Sequence, residues 1–163
     1  MDIKVDENYS FRFATNSDLD LIIDFISKLA KDKNKLDILD IDRQTLKYWL
    51  FDRNLVNVFF LTINNKEIGF AIYFFNFSLY KGKSGIFLED IYITDEYKHK
   101  DYDKIMFKKL CQIALRNNVD TIEWTCFTGD DDCINFFDLI GAKEISREKI
   151  YKLDGDKIEK LVN

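Results

Sequence analysis

The amino-acid sequence predicts one α/β domain, built on a mixed central sheet of about six to seven strands with helices on both faces. Apolar segments with strand or helix periodicity follow one another as strand, two helices, three strands, helix, strand, helix and strand. The three middle strands form a hairpin meander that leads into a strand–helix–strand crossover, which requires a mixed sheet. The length fits one domain, and no repeat or linker divides residues 1–163.

The N-terminal third is expected to form a short strand and two helices. Residues 11–14 read as a strand, and Thr15 precedes a segment whose apolar side chains recur at helical spacing. Thr15 and Asp18, three residues on, fit a capping pair for this helix. Residues 31–40 are charged and predict a loop, after which Asp42 is placed to cap a second, shorter helix.

The middle of the chain predicts three long strands. Residues 56–63 and 68–75 are apolar and rich in β-branched and aromatic side chains, and the turn-forming residues 64–65 separate them. Residues 81–85 form the next turn because they contain two glycines. Residues 86–93 then predict a third strand, which two consecutive acids interrupt.

The remaining segments complete the crossover. Residues 101–117 predict a helix, residues 121–126 a strand, and residues 133–140 a helix that Gly141 ends. Two short strands near residues 143–145 and 149–153, followed by a polar C-terminal helix, are expected to finish the domain.

Charge and composition exclude several classes of function. The net charge of −5 is opposite in sign to that of a nucleic-acid binder, and it suits cationic partners. Cys111, Cys126 and Cys133 have no metal-ligand spacing and indicate reduced thiols. No apolar run reaches about 18 residues. We therefore expect a cytoplasmic protein without a metal site, a nucleic-acid partner or a membrane partner.

Three ordered segments carry a resemblance to a known family. They are IGFAIYF at residues 68–74, LEDIYI at residues 88–93 running into Tyr97, and INFF at residues 134–137 followed by Gly141 and Ala142. In this order they resemble the GNAT superfamily, and specifically its diamine (spermidine/spermine) N-acetyltransferases, from about residue 11 to residue 161. The resemblance implies acetyl transfer from acetyl-CoA to a primary amine.

The resemblance also implies where acetyl-CoA would bind. The parallel strands at residues 86–93 and 121–126 would separate into a V-shaped opening, in which the pantetheine arm pairs with the backbone of Ile91 and Ile93. The pyrophosphate would lie at the N-terminus of the helix that begins near Asp101, where oriented N–H groups and the helix dipole favour an anion.

The phosphate loop departs from the family pattern, which is Arg/Gln-x-x-Gly-x-Gly/Ala. The aligned run is Lys-His-Lys-Asp-Tyr-Asp-Lys at residues 98–104, and it places Asp101 and Asp103 at the glycine positions. Each aspartate adds a Cβ where backbone would touch phosphate, and a negative charge beside a negative ligand. Five nearby lysines either bind the phosphates through their side chains or form a solvated helix end. They are Lys98, Lys100, Lys104, Lys108 and Lys109.

Two adjacent acids indicate the amine side of the site. Glu89 and Asp90 interrupt an apolar strand and point to opposite faces, so at least one meets the sheet interior or a cleft. The resemblance implies that Glu89 relays a proton from the substrate ammonium and that Asp90 holds the cation. Tyr80 would supply an aromatic wall for that cation. The alternative is a bulged strand end with both acids solvated.

Phe137 is a second departure, because the resembling family carries a tyrosine there that protonates the leaving thiolate. Tyr102 and Cys133 are possible replacements, and His99 is expected to be a surface loop residue. Three functions follow from these features. The chain is an impaired or non-catalytic relative of the acetyltransferases, a working enzyme that grips CoA through lysines, or a polyamine-binding or scaffold module. Relatives are commonly homodimers built around their C-terminal strands, so we expect a homodimer.

Overall fold

The computed structural model describes residues 8–126, 131–145 and 149–162, with the side chains of residues 131–133 left out of the description. A five-stranded sheet runs in the order β1 (Tyr9–Phe13), β2 (Asn57–Ile63), β3 (Lys66–Ser78), β4 (Lys83–Ile93) and β5 (Ile122–Trp124). Neighbouring strands are antiparallel except β4 and β5, which are parallel. The predicted mixed α/β sheet is therefore confirmed, with fewer strands than expected.

The described residues also form five α-helices. They are α1 (Leu19–Asp32), α2 (Arg43–Lys47), α3 (Tyr102–Arg116), α4 (Asp131–Leu139) and α5 (Gly155–Val162). A π-helical turn, Tyr48–Asp52, continues α2 directly. The chain forms two compact units, Met1–Thr125, which contains the sheet, and Cys126–Asn163, which contains α4 and α5. A single domain over residues 1–163 stays a prediction.

The two short C-terminal strands expected from the sequence do not form in the described residues. Residues 143–145 and 149–153 have no regular secondary structure. Ile150 and Tyr151 are 84% and 87% exposed. A strand is stable only beside a hydrogen-bonded neighbour, which this segment lacks among the described residues. Within the described residues, the sheet therefore has five strands instead of six to seven.

Helices cover both faces of the sheet, as predicted. On one face, Phe25 of α1 packs with its ring centroid 5.4–6.1 Å from the rings of Phe60, Phe70 and Tyr92. On the opposite face, α3 packs against β5, with Phe107 edge-on to Trp124 at 5.2 Å. Aromatic and aliphatic burial on each face supplies the main driving force for this layered arrangement.

The predicted helix caps form, and the loop after α1 is shorter than expected. Thr15 N–H donates to the Asp18 carboxylate at 2.7 Å, and Asp42 accepts from Thr45 N–H at 2.7 Å. Residues 31–40 were expected to be a loop throughout. Instead, α1 continues to Asp32, and a 3₁₀ turn occupies Leu36–Ile38.

Gly69 marks a close approach of β3, β4 and α3. A Cβ at Gly69 would lie 2.6 Å from the Tyr92 carbonyl oxygen and 3.3 Å from the Met106 sulfur. Because that carbonyl belongs to the backbone of β4, the strand must shift to admit a methyl group. We expect Gly69→Ala to lower the free energy of unfolding by about 1–3 kcal/mol in urea denaturation. Gly155→Ala is the control, since no described atom lies within 4 Å of its added Cβ. Equal stability of the two variants would contradict this packing.

An ion-pair cluster ties β1 to β3 and to the start of α1. The Arg12 guanidinium donates to both Asp18 oxygens, at 2.7 and 2.8 Å, and to Glu67 Oε1. Hydrogen bonding to Arg12 holds the pKa of Asp18 at about 2, below its ordinary value of 3.8. Because the pKa is lowered in the folded state, the Asp18 carboxylate stabilises the fold above about pH 3.8. This contribution is lost as the pH falls through about 2.

We expect Asp18→Asn to lower the free energy of unfolding by about 1–2 kcal/mol at pH 7. This figure allows for solvent screening, because the Arg12 side chain is 37% exposed. The difference from wild type should shrink as the pH approaches 2 in chemical denaturation series. Asp24→Asn, at a half-exposed pair with Lys28 on α1, serves as the control and should change stability by less than about 0.5 kcal/mol. A pH-independent deficit in Asp18→Asn would refute the assignment.

Candidate active site

A β-bulge interrupts β4 at Glu89. In the antiparallel ladder with β3, Ile72 pairs with Asp90, and the next residue of β3 pairs with Leu88. Glu89 is thus an extra residue without a partner on β3. A bulge bends its strand and increases the local twist, so the two acids lie at a bend within the strand. The Glu89 side chain is exposed, whereas that of Asp90 is half-buried.

β4 and β5 separate at this bulge. Their parallel pairing begins at Ile86 and ends where Leu88 pairs with Trp124. β4 itself continues to Ile93. No described strand pairs with the outer edge of residues 89–93. This open edge corresponds to the V-shaped opening that the resemblance implies between the two strands.

Backbone groups of Ile91 and Ile93 face the open edge. Thr94 N–H donates to the Ile68 carbonyl of β3 at 2.8 Å. Hydrogen-bonding groups alternate between the two sides of an antiparallel strand. Since the backbone of Thr94 hydrogen-bonds to β3, the odd-numbered residues after the bulge point their N–H and C=O groups away from β3. Ile91 and Ile93 therefore offer donors and acceptors where an extended pantetheine arm is expected.

The Asp90 carboxylate accepts hydrogen bonds from other groups of the chain. One carboxylate oxygen, Oδ2, accepts a hydrogen bond from the Lys33 ammonium at the C-terminus of α1. The other, Oδ1, accepts the Ile91 N–H at 2.9 Å. Both oxygens are thus engaged. An amine would have to displace Lys33 to use Asp90 as its cation site.

An apolar cavity of about 360 Å³ lies beside Glu89. Its walls come from α1, from α2 and the π-helical turn after it, and from β3 and β4. The lining residues are Ile22, Ile26, Leu46, Trp49, Leu50, Leu55, Val56, Ile72, Phe74 and Glu89. Glu89 carries the one charge in this lining, and no described side chain forms an ion pair or hydrogen bond with it. An unpaired carboxylate beside an apolar cavity suits a ligand with a cationic head and an apolar body.

Tyr80 lies apart from this cavity. It belongs to the turn that joins β3 to β4, and its side chain is 100% exposed. It lines neither this cavity nor the one described next. The structure therefore does not bring Tyr80 together with Glu89 and Asp90, and its expected role as an aromatic wall stays a prediction.

A second cavity, of about 280 Å³, lies beside the open edge of β4. It brings together three of the five residues expected to bind the cofactor, Ile91, Ile93 and Lys98. Two acids and a second lysine share the lining, which also includes Leu29, Asp32, Lys33, Tyr92, Tyr97, His99 and Asp103. The expected position of the pantetheine and phosphate groups is thus a cavity of mixed charge.

Lys98 is held by two carboxylates. Its Nζ lies 2.5 Å from Asp32 Oδ2 and 2.5 Å from Asp95 Oδ1. Burial lowers the pKa of Lys98, but the hydrogen bonds with Asp32 and Asp95 outweigh burial and leave the pKa raised. The ammonium therefore stays charged, and an arriving phosphate must compete with both acids for it.

Lys100 and Lys104 do not line the second cavity. Lys104 Nζ lies 2.5 Å from Asp101 Oδ1, one helical turn back. Lys100 Nζ lies 5.1 Å from the centroid of the Tyr97 ring, a cation–π distance. The lysines of the loop therefore do not converge on one point, and their expected role as a phosphate grip stays a prediction.

Asp101 keeps the backbone conformation of a glycine. It precedes α3 with φ 61° and ψ 15°, and His99 also has a positive φ of 60°. Glycine adopts this left-handed region freely, whereas a side chain there costs free energy. This conformation supports the placement of Asp101 at a glycine position of the loop. Asp103 lies in the first turn of α3, so two acids border a helix N-terminus that favours anions.

The two possible replacements for a proton donor, Tyr102 and Cys133, stay predictions. Phe137 packs against Phe136 in α4, with ring centroids 5.3 Å apart. Tyr102 is 4% exposed and lies edge-on to the Tyr97 ring. The side chain of Cys133 lies outside the described residues. His99 is exposed in its loop, as the sequence predicts.

Two residues that line the second cavity were missed by sequence reasoning, Lys33 and Asp32 at the end of α1. They fall in the charged segment that predicted only a loop. Each pairs with a residue far along the chain, Lys33 with Asp90 and Asp32 with Lys98. No spacing signal in the sequence identifies such pairs.

Within the described ranges, every helix is too short or too polar to cross a bilayer. The same residues contain no cluster of three or more His, Cys, Asp or Glu arranged to hold a metal ion. The two described cysteines, Cys111 and Cys126, are free, and burial raises the pKa of the Cys111 thiol.

Known acetyltransferases resemble this chain in sequence. The profile of the Acetyltransferase (GNAT) family matches residues 23–142. Over 93 residues the chain is 26% identical to L-ornithine N5-acetyltransferase of Arabidopsis thaliana, covering 57% of this chain and 41% of that protein. Over 163 residues it is 26% identical to spermidine/spermine N(1)-acetyltransferase-like protein 1 of Homo sapiens, covering 95% of this chain and 23% of that protein. The chain thus spans less than half the length of both relatives.

A solved structure gives the same fold. An integron cassette protein from the mobile metagenome of V. cholerae superposes with a TM-score of 0.76 at 22% identity, over 96% of this chain and 99% of that one. This likeness bears on the fold alone, while the family profile covers well over half of the sequence. The chain belongs to the acetyltransferase (GNAT) family.

Proposed function

We propose that the chain transfers an acetyl group from acetyl-CoA to a primary amine, with Glu89 as the general base and with a weakened hold on the cofactor. Family membership and the amine acetyltransferases among the relatives support this reaction class. One observation carries the proposal. The unpaired Glu89 carboxylate lies at the bulge where an apolar cavity meets the open edge of β4.

The described residues fit the pantetheine arm of acetyl-CoA better than its phosphate groups. The backbone groups of Ile91 and Ile93 fit an extended pantetheine arm, because an open strand edge offers alternating donors and acceptors. The phosphate end fits less well, because Asp101 and Asp103 place negative charge at the helix N-terminus. The cations that would hold the phosphates are Lys98, Lys100 and Lys104, once Lys98 and Lys104 leave their aspartate partners.

Glu89 performs the proton transfer on which the reaction depends. Bound acetyl-CoA supplies a thioester, whose C–S bond breaks as the new amide C–N bond forms. A primary amine arrives as an ammonium, and Glu89 accepts the proton that its nitrogen must lose before attack. Phe137 cannot donate a proton to the departing sulfur, so solvent supplies it. The products are the N-acetyl amine, the free thiol of CoA and one released proton.

Turnover by the full chain tests the proposal. The chain is incubated with a panel of primary amines and acetyl-CoA at several millimolar, above the usual KM range of about 1 µM–1 mM. Mass spectrometry then detects N-acetyl products, and a thiol reagent detects released CoA. We expect slow acetylation that requires both the chain and acetyl-CoA. Failure to acetylate any amine would overturn the proposal.

A second candidate function is amine binding without turnover. It is favoured by the ion pairs of Lys98 and Lys104, which engage the cations of the phosphate loop while the Glu89 side of the site remains open. This function would be indicated if the chain bound amines in calorimetry and yet neither bound nor consumed acetyl-CoA.

The C-terminal unit is proposed to mediate homodimerisation. Its exposed apolar side chains include Tyr151, at 87%, and Leu161 and Val162 of α5, at 76% and 81%. Exposed apolar patches are typical of protein interfaces. We expect a dimer mass in size-exclusion chromatography with light scattering, and a shift to monomer in Leu161→Asp. A monomeric wild-type chain at about 100 µM would contradict the proposal, since stable dimers have Kd values well below this concentration.

A further inference from the structure

The walls of the apolar cavity beside Glu89 indicate which class of amine it accepts. We propose that the ligand is a primary monoamine with an apolar body, and that the site discriminates against polyamines. Ornithine and spermidine, which the names of the two relatives described above indicate, carry a second charged group, so the ligand proposed for this chain differs from theirs. The proposal rests on the proposed function for the reaction at the nitrogen, although binding can be tested without that reaction.

The cavity is apolar from its floor to its rim. Nine of its ten lining residues are hydrophobic. Ile22 and Leu50 on the floor are 0% and 5% exposed, because they belong to the core between α1 and the sheet. Trp49 and Leu55 on the rim are 42% and 56% exposed. A ligand entering from solvent therefore passes exposed apolar side chains and reaches a buried apolar surface.

One carboxylate is available to a cation in this cavity. Glu89 has no partner among the described residues, whereas both oxygens of Asp90 are engaged by Lys33 and by the Ile91 N–H. A polyamine carries further cations along its chain, and each needs a partner when it leaves water. The described lining offers no second acid for them. A monoamine places its single charge at Glu89 and buries only hydrocarbon.

The dimensions suit a small ligand. The volume of about 360 Å³ is at the lower end of the range of roughly 300–1,000 Å³ found for small-molecule sites. Each methylene buried there should raise affinity about fourfold, the equivalent of about 0.8 kcal/mol. Affinity should therefore rise with chain length until the cavity is full, and then level off.

The test is calorimetric titration of the full chain with two series of ligands and no cofactor. One series consists of straight-chain primary monoamines of increasing length, and the other of diamines with matching length. We expect the monoamine series to gain about fourfold per methylene. At equal length, the diamine should bind at least about tenfold more weakly, because its second ammonium enters the apolar cavity unpaired.

A rim variant should remove the preference for monoamines. Leu55→Glu places a second carboxylate on the exposed rim, where folding tolerates it, so diamines should gain at least about tenfold relative to monoamines. Leu115→Glu, at a 76% exposed position of α3, is the matched control and should leave both series unchanged. The inference would be overturned if the wild type bound diamines more tightly than monoamines, or if monoamine affinity did not change with chain length.

The same ligands in the turnover assay separate this inference from the proposed function. Monoamine binding without acetylation would overturn the proposed function and leave the ligand class standing. Acetylation of polyamines in preference to monoamines would overturn the ligand class and leave the reaction standing.

Discussion

Glu89→Gln is expected to lower kcat for amine acetylation by about 10²–10⁴-fold near neutral pH. The amide keeps the shape of the side chain but cannot accept the ammonium proton. The deficit should shrink as the pH rises toward the pKa of the free amine, about 10.4 for a lysine-like group, because the amine then arrives already deprotonated. Steady-state rates measured across this pH range check both the loss and its recovery.

A matched control distinguishes two causes of a lower kcat, the loss of proton transfer and the loss of one negative charge. Glu96 lies in the loop after β4, is 67% exposed, and faces Lys66 at 3.9 Å. Glu96→Gln should change kcat by less than about twofold, since exposed pairs of this kind contribute little. A Glu89→Gln enzyme with near wild-type kcat, or with a loss that does not vary with pH, would exclude Glu89 as the base.

Asp101→Gly is expected to tighten acetyl-CoA binding by about tenfold or more. At about 5 Å and an effective dielectric constant near 20, a carboxylate and a phosphate repel by roughly 3 kcal/mol before screening. Because Lys104 neutralises part of the Asp101 charge, we assign about a third of this repulsion to Asp101, about 1 kcal/mol or about fivefold in Kd. Glycine also suits the left-handed backbone, admits phosphate to the N–H groups and frees Lys104. Calorimetric titration of acetyl-CoA measures the gain.

Asn118→Gly is the control for the effect of placing glycine in a left-handed backbone conformation alone. Asn118 has a φ of 55° after the end of α3, so the substitution places glycine in the same kind of conformation away from the second cavity. We expect it to leave the Kd for acetyl-CoA unchanged. An Asp101→Gly variant with wild-type affinity would show that Asp101 does not limit cofactor binding.

Much of the fold follows from local patterns in the sequence. The meander, the crossover and the caps at Thr15 and Asp42 depend on short-range periodicity and on side chains a few residues apart, which a sequence displays directly. The segments at residues 143–145 and 149–153 also have strand-like composition. Whether they become strands depends on a hydrogen-bonded neighbour, and composition does not specify one.

The candidate site is less visible in the sequence. Adjacent acids at residues 89 and 90 signal an interruption of β4, but the alternation does not show which of them is the bulge residue. The pairs Lys33–Asp90 and Lys98–Asp32 join residues 57 and 66 positions apart. Their formation depends on how α1 packs against the sheet. The sequence therefore indicates candidate cations and acids, and the tertiary structure determines which of them are already paired.

Titration of acetyl-CoA into the wild-type chain, with CoA for comparison, measures whether the open strand edge still accepts the pantetheine arm while the acidic loop weakens binding of the phosphates. The expected result is saturable binding with a Kd on the order of 100 µM, about −5.5 kcal/mol. Absence of binding at several millimolar cofactor, in the wild type and in Asp101→Gly alike, would contradict it.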